Sequence, residues 1–275
     1  MKRPSHRRSF KALSYGKMRD MSHRRRHTLT NHTDTPGPVL VKLGSTLPQL
    51  AHSRGDFEDW IVRGMGCSPS EITLVNPTLG DPLPPPDSIS GVIVTGSHAM
   101  VTDHAPWSEQ TALWLRSLVH ASVPVLGICY GHQLLAYTLG GKVDDNPRGM
   151  EFGTVAATLM PEAETDRLLG GLDTAIEVQV CHTQSVLQLP NGARLLARSD
   201  MDPNLAYAIG ACAWGVQFHP EFDAQVMSTY TEAYRDALTA AGKDPEAILR
   251  SIHDTPIGDT IMRRFTQMLT QGDSA

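Results

Sequence analysis

Between residues 39 and 126 the chain alternates short β-branched or aliphatic runs with stretches whose apolar residues recur every three or four positions. The runs are Val39-Leu40-Val41-Lys42-Leu43, Glu71-Ile72-Thr73-Leu74-Val75, Gly91-Val92-Ile93-Val94-Thr95 and Val123-Pro124-Val125-Leu126. Near-continuous apolar runs of this length read as strands covered on both faces. Helical spacing around residues 47 to 65 and Trp107 to His120 predicts the connecting helices, and such alternation predicts a parallel sheet. The loop Gly80 to Pro86, with four prolines in seven residues, separates the second run from the third. After residue 150 the period changes to two, as in Ile176-Glu177-Val178-Gln179-Val180, predicting a small half-exposed antiparallel portion. Helices resume near residue 223. In the last of them Ile261, Phe265 and Leu269, spaced by four, predict an apolar stripe docked on the body. No internal repeat is visible. The pattern therefore predicts an α/β domain with a mainly parallel central sheet flanked by helices.

Composition narrows this only a little. A chain of 275 residues, 40% hydrophobic and 19% charged, is long enough for one large domain or two small ones. No apolar segment approaches the ~18 residues of a membrane span. Four cysteines, Cys67, Cys129, Cys181 and Cys212, stand at unrelated spacings with no CxxC pair, so a disulfide framework is not expected and a reducing, cytoplasmic compartment is.

Charge changes the picture more. Residues 1–35 hold ten Lys+Arg against two acids, leaving fourteen bases and twenty-seven acids to an acidic body. The leader, with Ser22-His23-Arg24-Arg25-Arg26-His27, suits a disordered, solvated tail. A nucleic-acid arm or an organelle-targeting peptide are the alternatives, and Met18 or Met21 is a possible second start. It lacks interleaved aromatics, so nucleic acid is not the expected partner. The expected organisation is a basic leader over 1–36 and a single domain over 37–271.

The candidate chemistry begins at Gly127-Ile128-Cys129-Tyr130-Gly131, which directly follows a strand-like run and precedes a helix carrying Leu135 and Leu139. It has the G-x-nucleophile-x-G form of a nucleophile elbow with cysteine at the apex. The glycines are expected to allow the tight turn that leaves Cys129 strained and exposed. The helix N-terminus is expected to favour its thiolate. The alternative is a buried structural cysteine with incidental glycines. A nucleophile needs a base, and of twelve histidines the informative one is His219 in Trp214-Gly215-Val216-Gln217-Phe218-His219-Pro220-Glu221-Phe222. Alternation predicts His219 on the face opposite Trp214, Val216 and Phe218. With Pro220 keeping the backbone extended, Glu221 points the same way and can orient the imidazole. A strand end with a solvated acid is the alternative.

GICYGHQ and VQFHPEF, in that order, resemble the nucleophile and base motifs of class I, triad-type glutamine amidotransferases, over roughly residues 38 to 240. The resemblance implies a flavodoxin-like sheet and a Cys-His-Glu triad of Cys129, His219 and Glu221. Val94-Thr95-Gly96-Ser97 looks like the family's oxyanion loop, implying donors at the backbone N–H groups of Gly96 and Tyr130, with Ser97 near the substrate. Cys181-His182-Thr183-Gln184-Ser185-Val186 resembles a loop near the site that usually begins with serine, so Cys181 departs from the pattern. His182, Thr183 and Gln184 become substrate-contact candidates by that resemblance, and Gln133, one turn into the helix, is another; its alternative is a polar residue facing solvent. Arg148-Gly149-Met150-Glu151-Phe152-Gly153 resembles the stretch before the antiparallel portion. The implied substrate is glutamine or another γ-glutamyl small molecule.

No cofactor or metal is expected. His98, Asp103 and His104 follow the Gly96 loop without HExxH or CxxC spacing and read as loop residues lining or covering the pocket. Neither an SGGxDS loop nor a Walker motif is present, so this chain is not expected to activate an acceptor with ATP. Three readings remain open: a glutaminase subunit working with a separate synthetase, comparable to GMP synthetase-like enzymes; a self-sufficient γ-glutamyl peptidase; and a non-catalytic binding or regulatory module of the same fold.

Overall fold

Strand β1 (Gly37–Val41) opens the part of the chain that the structure, a computed structural model, describes, which is residues 37–270; the leader expected over 1–36 lies outside it. After β1 come two helices, α1 (Pro48–Arg54) and α2 (Phe57–Met65), where the periodicity predicts one. The break is chemical. Gly55 stands at φ 88°, and Asp56 then caps α2: its side chain accepts from the N–H of Phe57, while the Asp59 side chain accepts from the N–H of Asp56.

The remaining elements are β2 (Thr73–Val75), β3 (Ile89–Val94), α3 (Pro106–His120), β4 (Val125–Ile128), α4 (Tyr130–Thr138), β5 (Lys142–Asp145) and β6 (Glu151–Leu159). Then follow β7 (Ala175–His182), β8 (Gln184–Gln188), β9 (Ala193–Arg198), β10 (Ala206–Ile209) and β11 (Ala213–Val216). Helices α5 (Ala224–Ala233), α6 (Arg235–Ala240), α7 (Pro245–Ser251) and α8 (Ile257–Thr270) close the described chain. The second strand is shorter than expected because Ser68 caps a helical turn over Pro69–Glu71. The fourth starts two residues late, since Pro124 has no N–H for the ladder and contributes only its carbonyl, to Val92 N at 2.8 Å.

Nine strands form one sheet in the order β2-β1-β3-β4-β11-β10-β9-β6-β7. The pairs from β2 to β11 are parallel, and the order of those five strands is the 2-1-3-4-5 arrangement of flavodoxin-like folds. From β11 to β7 every pairing is antiparallel, so the antiparallel portion spans four strands beyond β11, and β5 and β8 make a separate antiparallel pair. Alternate residues feed two cores. Leu40, Ile93, Leu126 and Trp214 face the side holding α2 and α8, while Val41, Val92, Val94 and Val125 face α3 and α4. Ile261 and Phe265 are fully buried, as their spacing predicts, and Leu269 nearly so. No described helix is long and apolar enough to cross a membrane.

Such a sheet leaves a crevice beyond the carboxyl ends of its parallel strands. Cys129 directly follows β4 and Gly96 lies two residues past β3. His219 lies three residues past β11, a correction to its expected place within the strand.

Candidate functional site

Cys129 sits between strand and helix at φ 50° and ψ −98°, a left-handed backbone that a non-glycine residue rarely adopts. Its N–H donates to Val216 O at 2.8 Å and its carbonyl accepts from Gln133 N at 3.1 Å, so β11 and the first turn of α4 hold it there. The glycines have a different purpose from the expected one. Neither takes positive φ; a Cβ on Gly127 would stand 2.5 Å from Gly131 O, and one on Gly131 2.6 Å from Val94 O. They permit close packing, and the strained torsion belongs to the cysteine itself, which is buried and not exposed as the elbow pattern predicts.

His219 meets this residue from the turn that follows the neighbouring strand β11. Its N–H donates to Gln179 O on β7 at 2.8 Å, and the ring lies close enough to Cys129 for the charge on that side chain to act on it. Nδ1 lies 2.8 Å from Glu221 Oε1, with both side chains almost wholly buried. The pair forms in a turn, with Phe222 N donating back to His219 O at 3.3 Å, and not on the extended backbone that alternation around Pro220 predicts. Phe222 stacks on the imidazole with ring centres 4.0 Å apart, and Phe57 lies near-parallel to it at 6.4 Å. Phe57 is held there by the capped start of α2, where Lys42 Nζ reaches Asp56 at 2.8 Å and Glu58 at 2.6 Å.

Burial alone lowers the pKa of His219, but the Glu221 carboxylate and the charge on Cys129 outweigh it and raise it to about 10. The imidazolium therefore persists through neutral pH and is lost only as pH climbs through that value. Glu221→Gln removes the largest raising cause. We expect the alkaline limb of Cys129 alkylation by iodoacetamide to move to lower pH in that variant, read as rate against pH.

Gly96 borders both groups: a Cβ there would lie 3.1 Å from His219 Cε1 and 3.7 Å from Cys129 Cβ. The loop is fixed by Thr95, whose Oγ1 accepts from Leu43 N and donates to Gly96 O, both at 2.9 Å. Ser97 Oγ caps Ala99 N at 3.1 Å. The Tyr130 hydroxyl pairs with Ser108 Oγ at 2.7 Å in the core, and burial pushes its pKa up to about 12, so any role at the site falls to its N–H. That N–H is the first of α4, where helices have no internal acceptor to offer.

The other candidates divide. Thr183 Oγ1 reaches Met100 Sδ, and Gln184 Nε2 reaches Thr102 Oγ1 at 2.8 Å, so this loop joins the one that follows Gly96. His182 turns inward instead. Its Nε2 lies 3.0 Å from Glu151 Oε2 and its Nδ1 3.0 Å from Gln184 O, and Ser199 Oγ donates to the other Glu151 oxygen at 2.5 Å. Both ring nitrogens are therefore occupied by partners within the protein. Gln133 is 4% exposed, which removes the solvent-facing alternative, and its Nε2 donates to Gln184 O and Gln217 Oε1 at 2.8 and 2.9 Å. Cys181, where the resemblance leads one to expect serine, is half-buried; burial and then the charge of nearby Cys129 hold its thiol well above the ordinary range. His98 and His104 point to different partners, Tyr230 OH at 3.3 Å and Glu109 at 2.7 Å. Among the described residues no three His, Cys, Asp or Glu side chains gather as a metal site.

Sequence reasoning missed Phe57, Phe222 and Lys42. Phe222 stood inside the quoted motif three residues past His219, whereas Phe57 and Lys42 reach the site only through the fold. The arrangement brings the Cys129 side chain, the His219 imidazole with its Glu221 partner, and the Gly96 loop together beyond the carboxyl ends of the parallel strands.

A family model described as "Glutamine amidotransferase class-I" matches residues 55–233. A GMP synthase [glutamine-hydrolyzing] from Aeropyrum pernix is 33% identical over 190 residues, 68% of this chain and 33% of the relative. Gamma-glutamyl peptidase 3 from Arabidopsis thaliana is 29% identical over 144 residues, 51% of this chain and 58% of that protein. The chain thus spans about a third of the first relative and somewhat over half of the second. Among solved structures, a glutamine amidotransferase from Thermotoga maritima superposes with a TM-score of 0.68 at 22% identity, covering 88% of this chain and all of that one.

Proposed function

The chain belongs to the class I glutamine amidotransferase family, and from that premise we propose that it hydrolyses a γ-glutamyl amide through a thioester on Cys129. The observation that carries the reading is the convergence of Cys129, His219 with Glu221, and the backbone of Gly96.

In this scheme the Cys129 thiolate attacks the γ-carbonyl carbon, and the oxygen that gains the electron pair is met by the N–H groups of Gly96 and Tyr130. His219 gives its proton to the nitrogen as the carbon–nitrogen bond breaks, releasing ammonia or an amine and leaving a γ-glutamyl thioester. Neutral His219 then takes a proton from water, whose oxygen attacks the thioester carbon, and the carbon–sulfur bond breaks to release glutamate and restore the thiolate beside protonated His219. Glu221 holds the ring and offsets its charge throughout. Ser97, Gln133, Thr183 and Gln184 are the side chains we assign to holding the glutamyl group, and His182 supports Gln184 through its carbonyl.

Two fates of the released nitrogen have support. A relative named a glutamine-hydrolyzing GMP synthase favours ammonia delivered to a separate synthetase subunit, since this chain lacks the nucleotide signatures noted above. A relative named a gamma-glutamyl peptidase favours an enzyme sufficient in itself, and the chain covers more of that protein's length. Release of glutamate by the purified chain, from glutamine and from γ-glutamyl peptides, separates them. Fast turnover of the peptides supports the peptidase, glutamine turnover that rises only with a synthetase supports the subunit, and no turnover of either under any condition refutes the reaction.

A further inference from the structure

Helix α8 lies beyond the residues matched by the family model, yet its second residue touches the turn that carries the base. A Cβ on Gly258 would stand 2.1 Å from Pro220 O, 2.9 Å from its carbonyl carbon and 3.0 Å from its Cα. Pro220 is the residue between His219 and Glu221. Gly258 does not take positive φ, so the glycine is there for space and not for torsion. All three of the nearest atoms are backbone, so no side-chain rotation can relieve an added methyl. The helix itself has little room to retreat. Ile261, Met262 and Phe265 are fully buried, Phe265 packs edge-on against Trp214 of β11 at 6.3 Å, and Arg264 donates to the carbonyls of Leu168 and Gly170.

The geometry points to Gly258 as a positioning residue: the start of α8 is a stop behind Pro220 that fixes the approach of Glu221 to His219. The inference rests on the proposed roles of Cys129, His219 and Glu221. Its physical basis is that a carboxylate 2.8 Å from Nδ1 raises the imidazole pKa strongly, and an added methyl must shift the short turn that sets this separation.

The test is Gly258→Ala, read by two measurements. The first is the pH dependence of Cys129 alkylation by iodoacetamide, followed by mass spectrometry of the Cys129 peptide, which needs no knowledge of the substrate. The second is kcat and KM for glutamate release. We expect the inflection at which His219 loses its proton to fall by about one pH unit. We expect kcat to fall about ten- to a hundredfold, with KM within about twofold. Gly64→Ala is the matched control: the one atom its methyl would crowd is Met262 Cε, the far end of a flexible side chain, at 2.6 Å, with Cγ and Cβ of the same residue at ordinary contact distances of 3.5 and 3.6 Å. It should lower stability while leaving inflection and kcat unchanged. If Gly258→Ala does not fold, Ile261→Val, which removes one buried methyl a turn further along α8, loosens the same stop and should move the inflection part of the way. A folded variant with the wild-type inflection and kcat overturns the proposal. A shifted inflection in a chain that hydrolyses no γ-glutamyl compound upholds the positioning role and refutes the reaction.

Discussion

Cys129→Ala is expected to reduce γ-glutamyl hydrolysis by about four orders of magnitude or more, the usual consequence of removing a covalent nucleophile. In the proposed scheme, what remains lacks the group that attacks the γ-carbonyl and carries the thioester. Cys129→Gly should be as inactive yet more stable than Cys129→Ala. At φ 50° a Cβ carries strain that glycine lacks, a relief of ~1–3 kcal/mol partly offset by glycine's greater freedom when unfolded, leaving about 1 kcal/mol. Glutamate release and urea denaturation of the two variants measure both effects. Turnover surviving in Cys129→Ala would remove the thioester from the mechanism. Equal stability of the two variants would mean that the elbow stores no strain.

Acid should destabilise the protein through a histidine that takes no part in the chemistry. His132, three residues past the nucleophile, is wholly buried against Tyr207, with ring centres 4.8 Å apart, and neither ring nitrogen reaches a partner at hydrogen-bonding geometry. Burial pushes its pKa down to about 4, from an ordinary 6.5. The unfolded chain therefore takes up a proton more readily than the folded one. This contribution to stability is intact above about pH 6.5 and drains away as pH falls toward 4, by about 3 kcal/mol in all. His219 runs the other way: its pKa is raised, so its contribution is complete below 6.5 and is lost only as pH rises toward 10. Urea midpoints of wild type and His132→Leu between pH 4 and 8 test this. The wild type should lose stability steeply over that range, and the variant less so. Parallel slopes would assign the acid sensitivity to other groups.

The alternation of apolar runs and helical stretches was enough to read the parallel half of the sheet, because those strands are buried on both faces and carry little else. Cys129 was legible for a related reason, since an elbow compresses strand, turn and helix start into five residues. His219 was legible as a partner but not in its geometry. Counting faces along a strand presumes that the strand continues, and β11 ends at Val216. The single helix expected over 47 to 65 failed at Gly55 and Asp56, where one capping interaction outweighed a periodicity that both halves share. His182, read from the sequence as a substrate-contact candidate, pairs with Glu151, thirty-one residues earlier in the chain, a partner the sequence pattern does not announce. Gly258 was illegible for the strongest reason: nothing near it in sequence reports that Pro220 lies against it.

The pairing of β4 with β11, in which Val125 lies beside Ala213, joins segments eighty-eight residues apart. At a synthesis rate of about 5–20 residues per second, a nascent chain carries Cys129 for several seconds before His219 exists at all. The interval lengthens further if α8, the last described element, is needed behind Pro220. In the proposed scheme the thiol thus comes into being well before its activator, and the chemistry waits for a contact of high sequence separation that is slow to form. Stalled or truncated copies ending before β11 would carry the elbow sequence and lack the base, and the proposed reaction would become possible only once β11 and the turn after it have been made.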